Sequence, residues 1–234
     1  LYLQEIHALQ GEFKYLAFSS LLKGLNDAEY NFYTKRLHAG ETRKYIYKPT
    51  MDDYAFALVS SNYYHKYTHN MMYRIRENHN LYGEIVYYLE QAVEKRINNT
   101  DVPICCLLSG GLDSSLVAAI ASKILRKKNQ QLHTFSIGMT NSTDLVYARI
   151  AANHINSVHT EILYTKEEAL EVVDDVIYAI ESYDITTVRA SVAQYLLSQY
   201  ISHNTNFKVV LNGDGSDEIF MGYMYFHLAP DAET

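Results

Sequence analysis

The chain has 234 residues, enough to bury one full core and part of a neighbour. A net charge of −7, from 20 basic and 27 acidic residues, gives no support to nucleic-acid binding, and no apolar run approaches membrane-spanning length or forms a visible signal peptide. The only cysteines, Cys105 and Cys106, are adjacent and cannot build a disulfide framework, which favours a reducing, cytoplasmic compartment.

In chain order, a β-rich stretch comes first, with strands expected at Phe13–Phe18 and Lys44–Lys48. The aromatic, weakly patterned stretch Asp53–Tyr73 reads as an interdomain linker. The expected organisation is therefore a β-rich remnant over residues 1–52, a linker over 53–80 and a second domain over 81–234. His65 and His69 stand four apart within that linker, but without the glutamate of a metalloprotease motif they make a poor metal site. From Leu81 the pattern is regular, and Ile85, Leu89, Val93 and Ile97 mark an amphipathic helix. Strands are expected at Ile104–Leu108, Leu132–Ile137, Val158–Leu163 and Phe207–Leu211. Helices are expected near Ser114–Arg126, Thr143–Ile155, Lys166–Glu181 and Val188–His203. Alternation of strand and helix predicts an α/β domain, a parallel sheet flanked by helices.

The most informative segment is Ser109-Gly110-Gly111-Leu112-Asp113-Ser114-Ser115, between the apolar run Ile104–Leu108 and a helical pattern. A glycine-rich turn at a helix N-terminus is an anion cradle, because the first-turn N–H groups are unpaired and the helix dipole favours negative charge there. Two adjacent glycines let the backbone approach phosphate oxygens, and Ser109, Ser114 and Ser115 add hydroxyl donors. Asp113 cannot favourably face a phosphate without a cation between them, so its carboxylate implies magnesium. No lysine follows Gly111 until Lys123, which excludes the Walker loop. A Ser-Gly-Gly turn alone would fit an ordinary helix cap; the whole heptad in a strand–loop–helix setting points to nucleotide phosphates.

A second constellation, Asn212-Gly213-Asp214-Gly215-Ser216-Asp217-Glu218, follows the short apolar run Phe207–Leu211. Acids so close together repel one another unless a cation or amides neutralise them. Taken alone, the segment fits a solvated acidic turn with Asp217 as a helix cap. Beside the first loop, Asp217 becomes the partner of Asp113 across the carboxyl edge of the sheet, where open α/β sheets bind ligands. A third segment, Glu181–Ser191, carries Thr186, Thr187 and Arg189. A guanidinium there suits either a substrate carboxylate or an ordinary helix-surface ion pair.

These three motifs, with the tail Gly213–Pro230, resemble the N-type ATP pyrophosphatases and, among them, the glutamine-dependent asparagine synthetase family. The resemblance runs from about Leu81 to the last residue, and more loosely Leu1–Leu25 is similar to the end of that family's amidotransferase domain. It implies an adenine nucleotide alpha hydrolase-like fold with ATP and Mg2+ as cofactors. By the same resemblance Leu108 and Ile137 contact the adenosine, and Ser109, Gly110, Gly111, Asp113, Ser114 and Ser115 form the pyrophosphate loop. Asp113 and Asp217 are implied metal ligands, and Asn212 and Gly213 lay their backbone against the nucleotide. Asp214, Thr186, Thr187 and Arg189 belong to the aspartate and transition-state region. The implied reaction adenylates aspartate, releases pyrophosphate, and replaces AMP with glutamine-derived ammonia, in a possible homodimer.

Two departures from the family pattern stand out. The acid bracketed by glycines is usually glutamate preceded by serine; here Asp214 follows Asn212-Gly213, and the lost methylene shortens the reach by roughly 1.5 Å. The family also continues with a helical segment that supplies a lysine, and its glutaminase cysteine lies ahead of the region matched here, so the chain reads as a fragment. The rival readings are another adenylating amidotransferase on the same loop, such as a β-lactam synthetase-like enzyme, and an inactive nucleotide-binding product.

Overall fold

The computed structural model describes residues 2–7, 12–19, 25, 34–38, 40–49, 54–63 and 80–228. The chain divides into two compact units, Leu1–His79 and Asn80–Thr234.

The first unit is an antiparallel sheet of strands β1 (Tyr2–His7), β2 (Glu12–Ser19), β3 (Thr34–Arg36), β4 (Glu41–Pro49) and β5 (Tyr54–Tyr63), in the order β3-β1-β2-β5-β4. Strand β5 corrects the linker reading. Tyr54–Tyr63 pairs along β4, from Glu41 opposite Tyr63 to Pro49 opposite Tyr54, with one register shift between Lys44 and Tyr45. Its aromatic and branched residues suit a pleated surface, and pairing satisfies backbone groups that a linker would leave to water. Glu41 is held well below the usual carboxylate range, at about 2, chiefly by the Arg43 guanidinium, whose Nε donates to its Oε1 at 2.7 Å. The remainder of the expected linker, 64–79, lies outside the described residues, and so do His65 and His69.

The second unit begins with helix α1 (Leu81–Asn98), capped by Asn80, whose side-chain oxygen accepts from the Gly83 N–H at 3.1 Å. Strand β6 (Ile104–Leu107), helix α2 (Leu112–Lys127), strand β7 (His133–Gly138), helix α3 (Thr143–Ile155) and strand β8 (Val158–Leu163) then alternate as expected. The expected helix over Lys166–Glu181 is two: α4 (Lys166–Glu171) and α5 (Val173–Ile180). The break falls at Val172, beside a second β-branched residue, where helix propensity is weak. Helix α6 (Ile185–Asn204) starts earlier than expected because Asp184 caps it, accepting from the Thr187 N–H at 2.9 Å. Strand β9 (Val209–Leu211) and the short helix α7 (Ser216–Phe220) complete the unit, with a 3-10 turn at Met224–Leu228.

The four strands form a parallel sheet in the order β8-β7-β6-β9, with helices on both faces. Side-chain alternation along β6 sends Cys106 into one core with Val93, Ile97, Ile124, Leu132 and Ala152, and Cys105 into the other with Phe135, Leu197 and Ile201. Both thiols are buried, and burial pushes them up to about 11 for Cys105 and about 12 for Cys106. Among the described residues no helix is long and apolar enough to cross a membrane.

Under α3, His159 is 10% exposed and spans two hydroxyls, with Nδ1 2.9 Å from Thr134 Oγ1 and Nε2 3.0 Å from Ser136 Oγ. Burial, more than any other cause, pulls its pKa below the ordinary 6.5, although the nearby Glu161 carboxylate opposes the shift. The unfolded chain therefore takes up a proton at a higher pH than the folded one, so stability falls as pH drops below about 6.5. Urea unfolding between pH 7 and 5 is expected to show this slope, and His159→Gln to flatten it. In the same assay Leu132→Ala, at a side chain 1% exposed, is expected to cost about 2–5 kcal/mol.

Candidate functional site

After β6 the chain adds β7 and then β8 on one side; it returns to place β9 on the other side of β6. Such a reversal opens a crevice beyond the carboxyl ends of the strands, and the turns leaving β6 and β9 are the two that flank it. Those turns are Ser109–Gly111 with the start of α2, and Asn212–Gly215 leading into α7. The pairing of Cys106 with Leu211 fixes them side by side.

The first turn is shaped by its own hydroxyls. The Ser109 and Ser114 Oγ atoms are 2.9 Å apart, Ser114 Oγ accepts from the Ser109 N–H at 3.2 Å, and Ser109 Oγ accepts from the Gly111 N–H at 3.3 Å. Gly110 has φ +83°, and a Cβ there would overlap the main chain of Tyr147 and Ala148 within α3. Among the described residues Gly111 caps α2 with no side-chain hydrogen bond, an arrangement that suits an anion at the first-turn amides. Among the described residues Ser115 Oγ is buried without a hydrogen-bond partner.

The second turn presses against the first. A Cβ on Gly213 would lie 2.7 Å from the Ser114 nitrogen and 2.8 Å from the Asp113 carbonyl carbon, so only glycine permits this approach. Ser216 Oγ donates to the Gly213 carbonyl at 2.9 Å, and Asn212 Nδ2 donates to Asp214 Oδ2 at 2.7 Å. Between the turns lies a cavity of about 280 Å³ lined by Ser109, Gly111, Asp113 and Ser114 from one side and Gly213–Glu218 from the other, with Tyr223.

Asp113 and Asp217 thus line one cavity. Magnesium is commonly held by one or two carboxylates together with substrate phosphates and water, and this donor set fits that pattern. Among the described residues no cluster of three or more His, Cys, Asp or Glu side chains offers a complete protein cage.

Other expected site residues stand elsewhere. Leu108 is 1% exposed and packed in the core, and its N–H donates to the Phe135 carbonyl at 2.8 Å, so its side chain is closed to a ligand. Ile137 packs with Phe135 and Leu197 and borders a separate cavity near Tyr164 and His203. Thr186 and Thr187 sit in the first turn of α6, and Arg189 opens the second. The Asp184 carboxylate, held below its usual range mainly by the Thr187 N–H, also accepts from the Thr187 hydroxyl at 2.8 Å. Arg189 lines an apolar cavity of about 480 Å³ with Met139, Leu170 and Ile185, apart from the one between the two turns.

A family model for asparagine synthase matches residues 84–234, nearly two thirds of the chain. The chain belongs to the asparagine synthase family. Glutamine-hydrolysing asparagine synthetases of Bos taurus and Homo sapiens are 56% identical over 146 residues and 55% over 144. These alignments cover 62% and 61% of this chain but 26% of each relative, so the chain spans about a quarter of the length of the curated relatives it matches. Among solved structures, a glutamine-dependent NAD+ synthetase from Acinetobacter baumannii in complex with ADP is 20% identical with a TM-score of 0.44, covering 72% of this chain and 30% of its own. An NH3-dependent NAD synthetase from Campylobacter jejuni is 20% identical with a TM-score of 0.42, covering 61% and 60%.

Both glycine turns fall inside the asparagine synthase match. Tyr223 was not among the expected site residues. Its hydroxyl donates to Glu218 Oε1 at 2.8 Å, which is the main cause pushing the phenol up to about 12, and its ring stacks on Tyr225 with centroids 5.2 Å apart. Its place on the lining follows from the backbone reversal at Met221, whose φ of 56° no residue type there announces.

The contact at Gly213 yields a test. Gly213→Ala forces main chain against main chain and is expected to cost about 1–3 kcal/mol in urea unfolding and to abolish Mg·ATP binding in calorimetry. Gly215→Ala is the comparison: among the described residues no atom beyond its chain neighbours lies within 4 Å of where its Cβ would be, and only the strain of φ +92° is added, about 1–2 kcal/mol.

Proposed function

We propose that this chain carries the ATP-binding, acid-activating part of an asparagine synthetase that amidates aspartate at the expense of ATP, with ammonia drawn from glutamine, in the cytoplasm. The observation that carries the reading is the convergence of two glycine turns on one cavity that has the N-terminus of α2, without a side-chain cap, on one wall and carboxylates from both turns around it. Family membership supports the choice of reaction. Free, protonated cysteine thiols agree with a reducing compartment.

In this reading Asp113 and Asp217 hold a magnesium ion, which when bound neutralises phosphate charge. The first-turn amides of α2, with the Ser109 and Ser114 hydroxyls on the cavity wall, receive the β- and γ-phosphates, while the buried Ser115 hydroxyl stands behind that wall. The aspartate β-carboxylate oxygen forms a bond to the α-phosphorus, and the bond from that phosphorus to the bridging oxygen breaks, so pyrophosphate departs into the cradle. Ammonia then attacks the acyl carbon, AMP leaves with the bonding electron pair, and the ammonia nitrogen loses a proton. Preorganised amides aimed at the leaving charge are the main catalytic contribution available to this chain. The Arg189 guanidinium, on the wall of the separate cavity it lines with Ile185, is suited to two-pronged binding of the aspartate α-carboxylate reaching out from between the turns, with Thr186 and Thr187 beside it. Asp214 steers the acyl-adenylate from the opposite turn.

Aspartate-dependent exchange of labelled pyrophosphate into ATP tests the reading. In the full-length protein Asp113→Ala is expected to lower exchange by about a hundredfold or more, given the several kcal/mol that a phosphate-bound metal supplies; exchange that persists removes the metal role. Arg189→Lys is expected to raise the KM for aspartate about tenfold while leaving that for ATP unchanged, since one prong of the carboxylate clamp is lost. Exchange driven by another acid and not by aspartate would move the assignment to a related adenylating amidotransferase.

A further inference from the structure

We propose that Asn212 is a positioning residue for the Asp214 carboxylate, and that the two side chains act as one unit at the adenylation cavity. This rests on the reading of that cavity given above. Asn212 directly follows β9, whose pairing with β6 fixes its backbone, and Gly213 is wedged against the first turn of α2. Between these anchors and the left-handed Gly215, the main chain of Asp214 is held at both ends. Its side chain is steadied by a single hydrogen bond among the described residues, the one from Asn212 Nδ2 to Oδ2 at 2.7 Å. Asp214 borders both the cavity between the turns and the larger one beside α1, and Asn212 lines the second.

The chemistry of the partner matters. A carboxamide donates to the carboxylate without neutralising it, whereas a lysine or arginine would cancel the charge that lets Asp214 act on a substrate. Geometry ties the two residue types together. Aspartate reaches roughly 1.5 Å less far than glutamate, and a serine hydroxyl at 212 stops one bond short of the carboxamide nitrogen. A long donor with a short acid, or a short donor with a long acid, therefore spans the same gap. Changing one member alone breaks the fit.

Two measurements test this, and they separate the pairing from the reaction. The first uses the side-chain amide resonances of the 15N-labelled chain, with the Asn212 signal assigned by its loss in Asn212→Ser. Asp214→Ala is expected to move and broaden that signal; an unchanged signal overturns the pairing whatever the enzyme does. The second is aspartate-dependent pyrophosphate exchange in the full-length protein at saturating substrates. Asn212→Ser and Asp214→Glu are each expected to lower the rate constant about tenfold, as loss of one hydrogen bond to a charged group does, and Asn212→Ser combined with Asp214→Glu to recover most of it. Single variants that match the wild type, or a double variant no better than the singles, overturn the positioning role. If the resonance shift is present but no acid supports exchange, the adenylation reading falls and takes the positioning role with it. If exchange proceeds without the shift, only the pairing falls.

Discussion

Everything at the candidate site depends on one steric permission. Gly213 lies so close to the Asp113–Ser114 peptide that a single methyl group would part the two turns. Because that contact is backbone on backbone, neither side can yield by changing a rotamer. The parallel pairing of β6 with β9 brings the turns alongside each other, and the missing Cβ lets them close. Carboxylates a hundred residues apart in the chain thereby come to line one cavity.

The fold was largely legible because its signals are local. Apolar runs of strand length alternating with 3.6-period patterns specify a buried parallel sheet, and α3 and β8 run between the residues expected for them. What escaped were features set by partners or by a single cap. Tyr54–Tyr63 lacks clean alternation and becomes a strand through its pairing with β4. The early start of α6 was written in Asp184-Ile185-Thr186-Thr187, an N-cap aspartate with its acceptor three residues before Thr187, but the weight given to Val188 hid it.

The candidate site was legible in part for the same reason. The two glycine turns announce themselves through composition and through the strands before them, and strand order then makes them neighbours. Residues assigned to adenosine and to the acid substrate depend on which way a side chain faces, and sequence carries that only weakly. Leu108 continues the apolar run of β6 and follows the alternation into the core, while Arg189 faces a different cavity because the Asp184 cap sets the rotation of α6. Tyr223 reaches the lining through a left-handed residue at Met221, a conformation with no signature in the residue type.

The neighbouring thiols of β6 lie beneath different helical layers, Cys106 under the α1–α3 side and Cys105 under the α6 side. The central strand therefore carries a matched pair of chemical reporters. Detachment of one layer would bare one sulfur to an alkylating reagent and leave its sequence neighbour shielded, whereas concerted unfolding would surrender both together. Mass spectrometry of the modified peptide could thus say whether this sheet sheds its two coverings in turn or at once.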